Sequence, residues 1–253
     1  MKKLVLTGVL IASGILASFN AIAQRGVQLG VEGIPQLSWL ANKNDKDNGA
    51  IKYLGTFRGA AGITSQFNWS DNWGIGLNVD YSWQGQRFKY AGIERFKQVD
   101  YVKIPLMLVY NSDPSRNVMF LAKLGPELNI LSRARLTDKD GNLIADQKPA
   151  YLKSDLGGLL SLGLQYNISD HLILETSLRG DMTFNNAEDT KYAYNINDPI
   201  GKLTGNMFRS PDRAKTVSTT LGFVFGLKYA FTSYNSTTTT PRPVHPRRAG
   251  GGY

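Results

Sequence analysis

Val217-Ser218-Thr219-Thr220-Leu221-Gly222-Phe223-Val224-Phe225-Gly226-Leu227-Lys228-Tyr229-Ala230-Phe231 alternates along its whole length. Its odd positions read Val, Thr, Leu, Phe, Phe, Leu, Tyr, Phe, and its even positions are Ser, Thr, Gly, Val, Gly, Lys and Ala. A strand sends successive side chains to opposite faces, so the odd set forms one apolar face, its aromatic part carried by Phe223, Phe225, Tyr229 and Phe231. The even set forms a narrow face suited to a tight lumen. Such a strand fits the wall of a barrel that faces lipid.

The other end of the chain agrees. Lys2 and Lys3 are followed by an apolar run from Leu4 to Leu16 and by Ala21-Ile22-Ala23, the pattern of a cleavable secretory leader. Residues 1–23 are therefore set aside as a signal peptide. Removing its two lysines takes the formal charge from +9 to +7, a basic balance that favours anionic surfaces. The chain has no cysteine, which excludes a disulfide framework, a thiolate metal site and a lipid-modified N-terminal Cys.

After that leader the longest charge-free run, Leu156 to Ser169, is short of the roughly 18 apolar residues a spanning helix needs. An exported chain of alternating segments can enter a bilayer only as a closed barrel, because open sheet edges would leave backbone donors and acceptors unpaired in hydrocarbon. Period-two segments bounded by turn residues predict eight strands: 25–41, 53–69, 73–90, 97–111, 118–135, 154–168, 172–184 and 216–232. The expected fold is an all-β, closed, antiparallel, eight-stranded transmembrane barrel over residues 24–232.

Short connections at Ser70-Asp71-Asn72, Ser112 to Asn117 and Ser169-Asp170-His171 alternate with longer polar ones: 42–52, 91–96, 136–153 and 185–215. This is the pattern of short periplasmic turns opposed by longer extracellular loops. The third strand alternates most cleanly, with Trp73, Ile75, Leu77, Val79, Tyr81 and Trp83 against Gly74, Gly76, Asn78, Asp80, Ser82 and Gln84. Strand one, with Glu32 and Pro35, is weaker. Trp69, Trp73, Tyr110, Tyr166, Tyr229 and Phe231 fall near the short-turn ends, where an inner aromatic girdle belongs, and Trp39, Tyr53, Trp83 and Phe184 supply the outer one.

Three segments carry a resemblance: Tyr101-Val102-Lys103-Ile104-Pro105-Leu106-Met107-Leu108-Val109-Tyr110, Leu124-Gly125-Pro126-Glu127-Leu128 and Asp155-Leu156-Gly157-Gly158. With Tyr81-Ser82-Trp83-Gln84-Gly85, the chain resembles the PorT-like outer-membrane β-barrel family of Bacteroidetes. The resemblance implies an eight-stranded outer-membrane barrel and carries over no catalytic or ligand residue.

The predicted inward face holds Arg58, Asp80, Lys103, Lys123, Glu127, Asp155, Glu175, Arg179, Asp181 and Lys228. Side chains just fill an eight-stranded interior, and buried charges are costly unless paired, so a mutually paired network that plugs the lumen is expected. Arg58 with Asp80 is one such pairing. A narrow ion or proton path is the alternative reading of the same residues.

Catalysis at the outer leaflet would need a histidine base, but His171 lies in a short turn and His245 in the tail. The loop carboxylates Asp138, Asp140, Glu188, Asp189 and Asp198 have no distinctive spacing. Asp138-Lys139-Asp140-Gly141-Asn142 opens like a calcium loop, but Leu143 and Pro149 stand where that loop needs glycine and glutamate. A hairpin turn at Asp140-Gly141 is expected instead. No catalytic residue, cofactor or metal is assigned.

The basic residues Arg87, Lys89, Arg95, Lys97, Arg133 and Arg135 belong near the outer surface, where lipopolysaccharide phosphates or plain solvent would face them. Loop 185–215 holds enough apolar residues to fold over the mouth, either as a packed lid or as a surface for a partner. Residues 233–253, rich in Thr, Pro, Arg and Gly, read as a disordered periplasmic tail and a second place for a partner. The surroundings expected are outer-membrane lipid and lipopolysaccharide, and nucleic acid is not a partner for a chain outside the cytoplasm. The function expected is structural or interactive, with a gated passage for small solutes as the alternative and a surface hydrolase after it.

Overall fold

The computed structural model describes residues 26–47, 51–90, 92–112, 116–189 and 214–231. The predicted leader, residues 190–213 of the last long loop and the predicted tail lie outside the described residues. Among the described residues ten strands form one sheet: β1 (Val27–Asn42), β2 (Ile51–Leu54), β3 (Thr56–Asn68), β4 (Trp73–Tyr90), β5 (Ile93–Asn111), β6 (Val118–Asp138), β7 (Leu143–Asp146), β8 (Ser154–Asn167), β9 (Leu172–Thr183) and β10 (Thr216–Ala230). One short helix, α1 (Lys43–Asp47), follows β1.

Eight of the strands close a ring in the order β1-β3-β4-β5-β6-β8-β9-β10, every pair antiparallel, with the β4 to β5 pairing completing the circuit. The seam joins the first and last strands from Gln28 opposite Ala230 to Asn42 opposite Thr216. Closure leaves no bare edge around the cylinder, which a sheet surrounded by hydrocarbon requires.

Alternation decides which side of each strand faces lipid. On β10 the odd residues are exposed or half-exposed and the even ones buried, so Phe223, Phe225, Tyr229 and Phe231 lie on the outer side. Ile75, Leu77, Leu106, Leu108, Leu160 and Leu162 continue the apolar band. At its short-turn edge Trp73 meets Tyr110 edge-on at 5.1 Å, and Tyr229 meets Phe231 at 5.3 Å.

The wall is uneven in height. β4, β5 and β6 run 18, 19 and 21 residues, about twice the 9–11 that cross a bilayer, while β9 has 12. The excess stands on the long-loop side, where β2 adds to β4 and β7 to β6.

Three expectations change here. Strand two divides at Gly55 into β2 and β3. Residues 93–96, expected as loop, are the start of β5, and the connection to β4 narrows to a turn at Gly92, whose φ of 82° suits glycine. The third long loop is itself a hairpin of β6 and β7, turning at Gly141 with φ 88°.

β5 and β6 also slip by one residue. Asp100 pairs with Arg133 and Tyr101 with Leu131, which leaves Ser132 as the extra residue of a β-bulge. A bulge reverses the alternation beyond it, so Leu131 points inward, Arg133 and Arg135 outward, and Ala134 and Leu136 inward.

Candidate functional site

Neighbouring strands turn alternate residues into the cylinder, and in its middle those residues are ionic. Arg179 on β9 is the hub. Its Nη1 donates to Asp80 Oδ2 at 2.8 Å and to Glu32 Oε1 at 3.3 Å, and its Nη2 donates to Glu127 Oε2 at 2.8 Å. Its Nε lies 3.6 Å from Asp181 Oδ2. Lys103 joins from β5, donating to Asp181 and lying 3.3 Å from Glu127 Oε1. A second knot sits nearer the short-turn end, where Lys123 and Lys228 approach the two oxygens of Glu175 at 2.5 and 2.6 Å. Lys228 also donates to Gln66 Oε1 at 3.0 Å.

Every one of these side chains is buried. A buried charge is tolerated when several opposite partners hold it, whereas a lone one would destabilise the fold. Planar Arg suits the hub because its fork reaches three carboxylates in different directions at once.

Two predicted members stand apart. Arg58 does not meet Asp80; its guanidinium lies over the ring of Phe96, 4.3 Å from the centroid. β3 leaves register with β4 above Ala60, so Arg58 sits higher than Asp80, and Arg179 takes the carboxylate instead. Asp155 is buried opposite Asn129 and makes no hydrogen bond or ion pair among the described residues. Glu32, in turn, joins the network without having been placed there. The signal was its even parity, shared with Gln28, Gln36, Ser38 and Asn42, all buried on β1.

Above the ions lies a layer of neutral polar groups. Gln36 donates to Ser82 Oγ at 2.8 Å, and Ser218 donates across the lumen to Gln84 Oε1 at 2.6 Å. Higher still the lumen is apolar: Leu40, Val99, Tyr101, Leu131 and Ala134 pack against Ala150, Tyr151 and Ala187. The last three come from connections that fold inward. Lys148–Ala150 form one turn of 3-10 helix, and Leu152 N–H donates to Ala187 O at 3.0 Å. Lys97 pins the same region, 3.3 Å from Glu188. Segments 147–151 and 185–189 therefore line this apolar layer, while residues 190–213 of the loop expected as lid or partner surface lie outside the described residues.

The remaining candidates are dispersed. His171 Nδ1 lies 2.9 Å from Ala230 O, and the ring stacks on Tyr229 in a short turn, far along the wall from the long loops. Asp138 Oδ1 accepts from the amides of Asp140 and Asn142 at 2.9 and 2.8 Å, and Oδ2 accepts from Asn142 Nδ2 at 2.9 Å. That is a side-chain-capped hairpin turn rather than a calcium loop. Among the described residues no cluster of three or more His, Cys, Asp or Glu is arranged to hold a metal.

A closed antiparallel cylinder with an apolar band outside, aromatic residues at its edge and charges inside is a transmembrane barrel of the outer-membrane class. The chain belongs to the outer membrane protein beta-barrel domain family, whose model matches residues 6–198, and it is a small integral protein of the Gram-negative outer membrane. No curated protein matches it. Its structure is similar to that of Ail, the attachment invasion locus protein of Yersinia pestis, with TM-score 0.43 and 12% identity over 82% of this chain and 100% of that one. It is also similar to OprG from Pseudomonas aeruginosa, with TM-score 0.41 and 14% identity over 82% and 95% of the two chains. Neisserial surface protein A gives TM-score 0.43 and 12% identity over 80% and 96%.

Proposed function

We propose that this protein is a closed, non-conducting barrel that acts through its outer surfaces, as a structural or interaction protein of the outer membrane rather than as an enzyme. The observation that carries the reading is the span of Arg179 from β9 to Asp80 on β4, with Glu127 and Glu32 held by the same guanidinium. Ions or solutes passing this level would have to break several buried ion pairs together. The apolar layer around Tyr101 and Tyr151 adds a second barrier above it.

The motifs at Tyr101 to Tyr110, Leu124 to Leu128 and Asp155 to Gly158 support placing the chain with PorT-like barrels of Bacteroidetes. On this reading residues 1–23 are a cleaved leader, 24–232 the barrel and 233–253 a periplasmic tail. A protein partner would engage loop 185–215 or that tail.

Planar-bilayer recording of the purified protein tests the closed state. No steady current at moderate voltage is expected, and reproducible open levels would instead make it a gated passage. Turnover of lipid substrates that is lost on replacing loop carboxylates would overturn the non-enzymatic part.

A further inference from the structure

The wall that rises above the bilayer is charged on one side of the barrel. Trp83 on β4 stands opposite Asp100, and Asp100 opposite Arg133, so Arg133 lies level with an aromatic residue of the outer interface. Further up the same outer face come Arg135 beside Gln98, Arg87 beside Leu54 and Phe96, and Lys89 between Lys52 and Glu94. Residues directly opposite in an antiparallel pair share a face, so these five cations look out together, and all are exposed.

Acids on that face are fewer. Glu94 lies 3.4 Å from Arg87, Asp146 stands opposite Arg135, and buried Asp100 is 3.9 Å from Arg133. Around the rest of the ring the outward strand residues toward the same end are uncharged, Leu37 and Trp39 on β1, Leu156 on β8, Met182 on β9 and Thr219 on β10, and the exposed cations Lys43, Lys153 and Lys215 stand one each just beyond the ends of β1, β8 and β10. The bulge at Ser132 adds Arg133 and Arg135 to the charged face. In an unbroken strand Arg133 and Arg135 would share the parity of Leu131 and point into the lumen.

We propose that Arg133, Arg135, Arg87, Lys89 and Lys52 form a docking surface for the phosphates of the glycolipid in the outer leaflet. Guanidinium groups bind phosphate oxygens in pairs, and lysine adds unoriented charge. A membrane-anchored phosphate approaches from the side, and the outward cations line that approach from Arg133 at the level of Trp83 up to Arg87, Lys89 and Lys52 on the wall above it. Anions free in the medium impose no such direction. The inference does not depend on whether the lumen conducts.

The test uses the full mature chain folded in phosphatidylcholine vesicles that carry either bisphosphorylated lipid A or the same lipid stripped of phosphate. Lipid retained after extraction and repurification is the readout. Wild type is expected to retain the phosphorylated form roughly tenfold better, and both R133Q/R135Q and K52Q/K89Q to lose most of that preference. Equal retention of the two lipids, or wild-type preference in the variants, overturns the proposal. So does release of the lipid by millimolar inorganic phosphate, which would assign the site to free phosphate. Should R133Q/R135Q fail to fold because Asp100 loses its neighbour, K52Q/K89Q decides alone.

Discussion

Arg179 and Asp80 stand on diametrically opposite strands of the eight-stranded ring, and their side chains meet at 2.8 Å. A single contact therefore crosses the full bore. It ties together two walls that share no backbone hydrogen bond, and in doing so it fixes the cylinder's width at mid-height.

Replacing Arg179 with Met leaves Asp80, Glu32 and part of Glu127 uncompensated in a buried interior. The expected cost is about 3–5 kcal/mol in urea unfolding from vesicles. Asp80→Asn combined with Arg179→Met should cost less than the two single changes added together. Strict additivity would mean the pair is not energetically coupled.

Gly62 on β3 faces Asp80 across the pair, and a Cβ there would collide with Asp80 Oδ1 and the carbonyl of Val79. Gly62→Ala should displace that carboxylate from Arg179 and destabilise the barrel by about 1–3 kcal/mol. The sensitive check is a second measurement of the Asp80 to Arg179 coupling in the Gly62→Ala background, which should shrink.

The four tryptophans lie in two belts, Trp69 and Trp73 by a short turn and Trp39 and Trp83 toward the other end. Fluorescence quenching by lipids brominated near the head group should exceed quenching by lipids brominated at the chain terminus. The reverse order would place the belts at the membrane midplane and contradict the assignment of both interfaces.

Asp138 sits in the exposed β6 to β7 turn, where the Asn142 side chain, then the Asn142 and Asp140 amides, hold its carboxyl below the usual aspartate range. A group with a depressed value stabilises the folded turn above its unfolded value and loses that contribution as pH falls through the folded one. The protection factor of the Asn142 amide, its exchange rate relative to that of the free peptide at the same pH, should therefore hold at neutral pH and fall only below the ordinary range of aspartate. Asp138→Ala should lower that factor at neutral pH as well.

Phe231 donates its amide to Val27 O at 3.0 Å, the last rung of the seam, and its exposed ring meets Tyr229. A chain lacking Phe231 and all that follows should assemble poorly into membranes, whereas one ending after Tyr234 should assemble normally. Heat-modifiable mobility on gels reports the folded fraction, and equal fractions would remove any role for this residue.

Strand positions were legible wherever hydrocarbon lies on one side and a packed lumen on the other, because that contrast forces alternation, as in Trp73 to Gln84 and Val217 to Phe231. Above the bilayer both faces meet polar surroundings and the contrast disappears. Glu94, Arg95 and Lys97 consequently read as loop or strand edge although they belong to β5. Ser132 fits either face, so its bulge left no mark in the residue pattern. The lumen's inventory of charges followed from parity, but its pairings did not. Which carboxylates Arg179 reaches depends on the stagger of strands halfway round the ring, and sequence spacing carries no record of that stagger. Arg58 was matched to Asp80 as a neighbour by strand order, whereas the contacts run across the interior.

The seam between β1 and β10 has a consequence for biogenesis. Until the final strand arrives, both flanks of the growing sheet offer unsatisfied amides and carbonyls along their whole length, and the contact that completes them joins opposite ends of the chain. Such long-range closure is slow and prone to aggregation. The polypeptide must therefore be escorted through the aqueous compartment in an open state, and insertion must wait for its last segment.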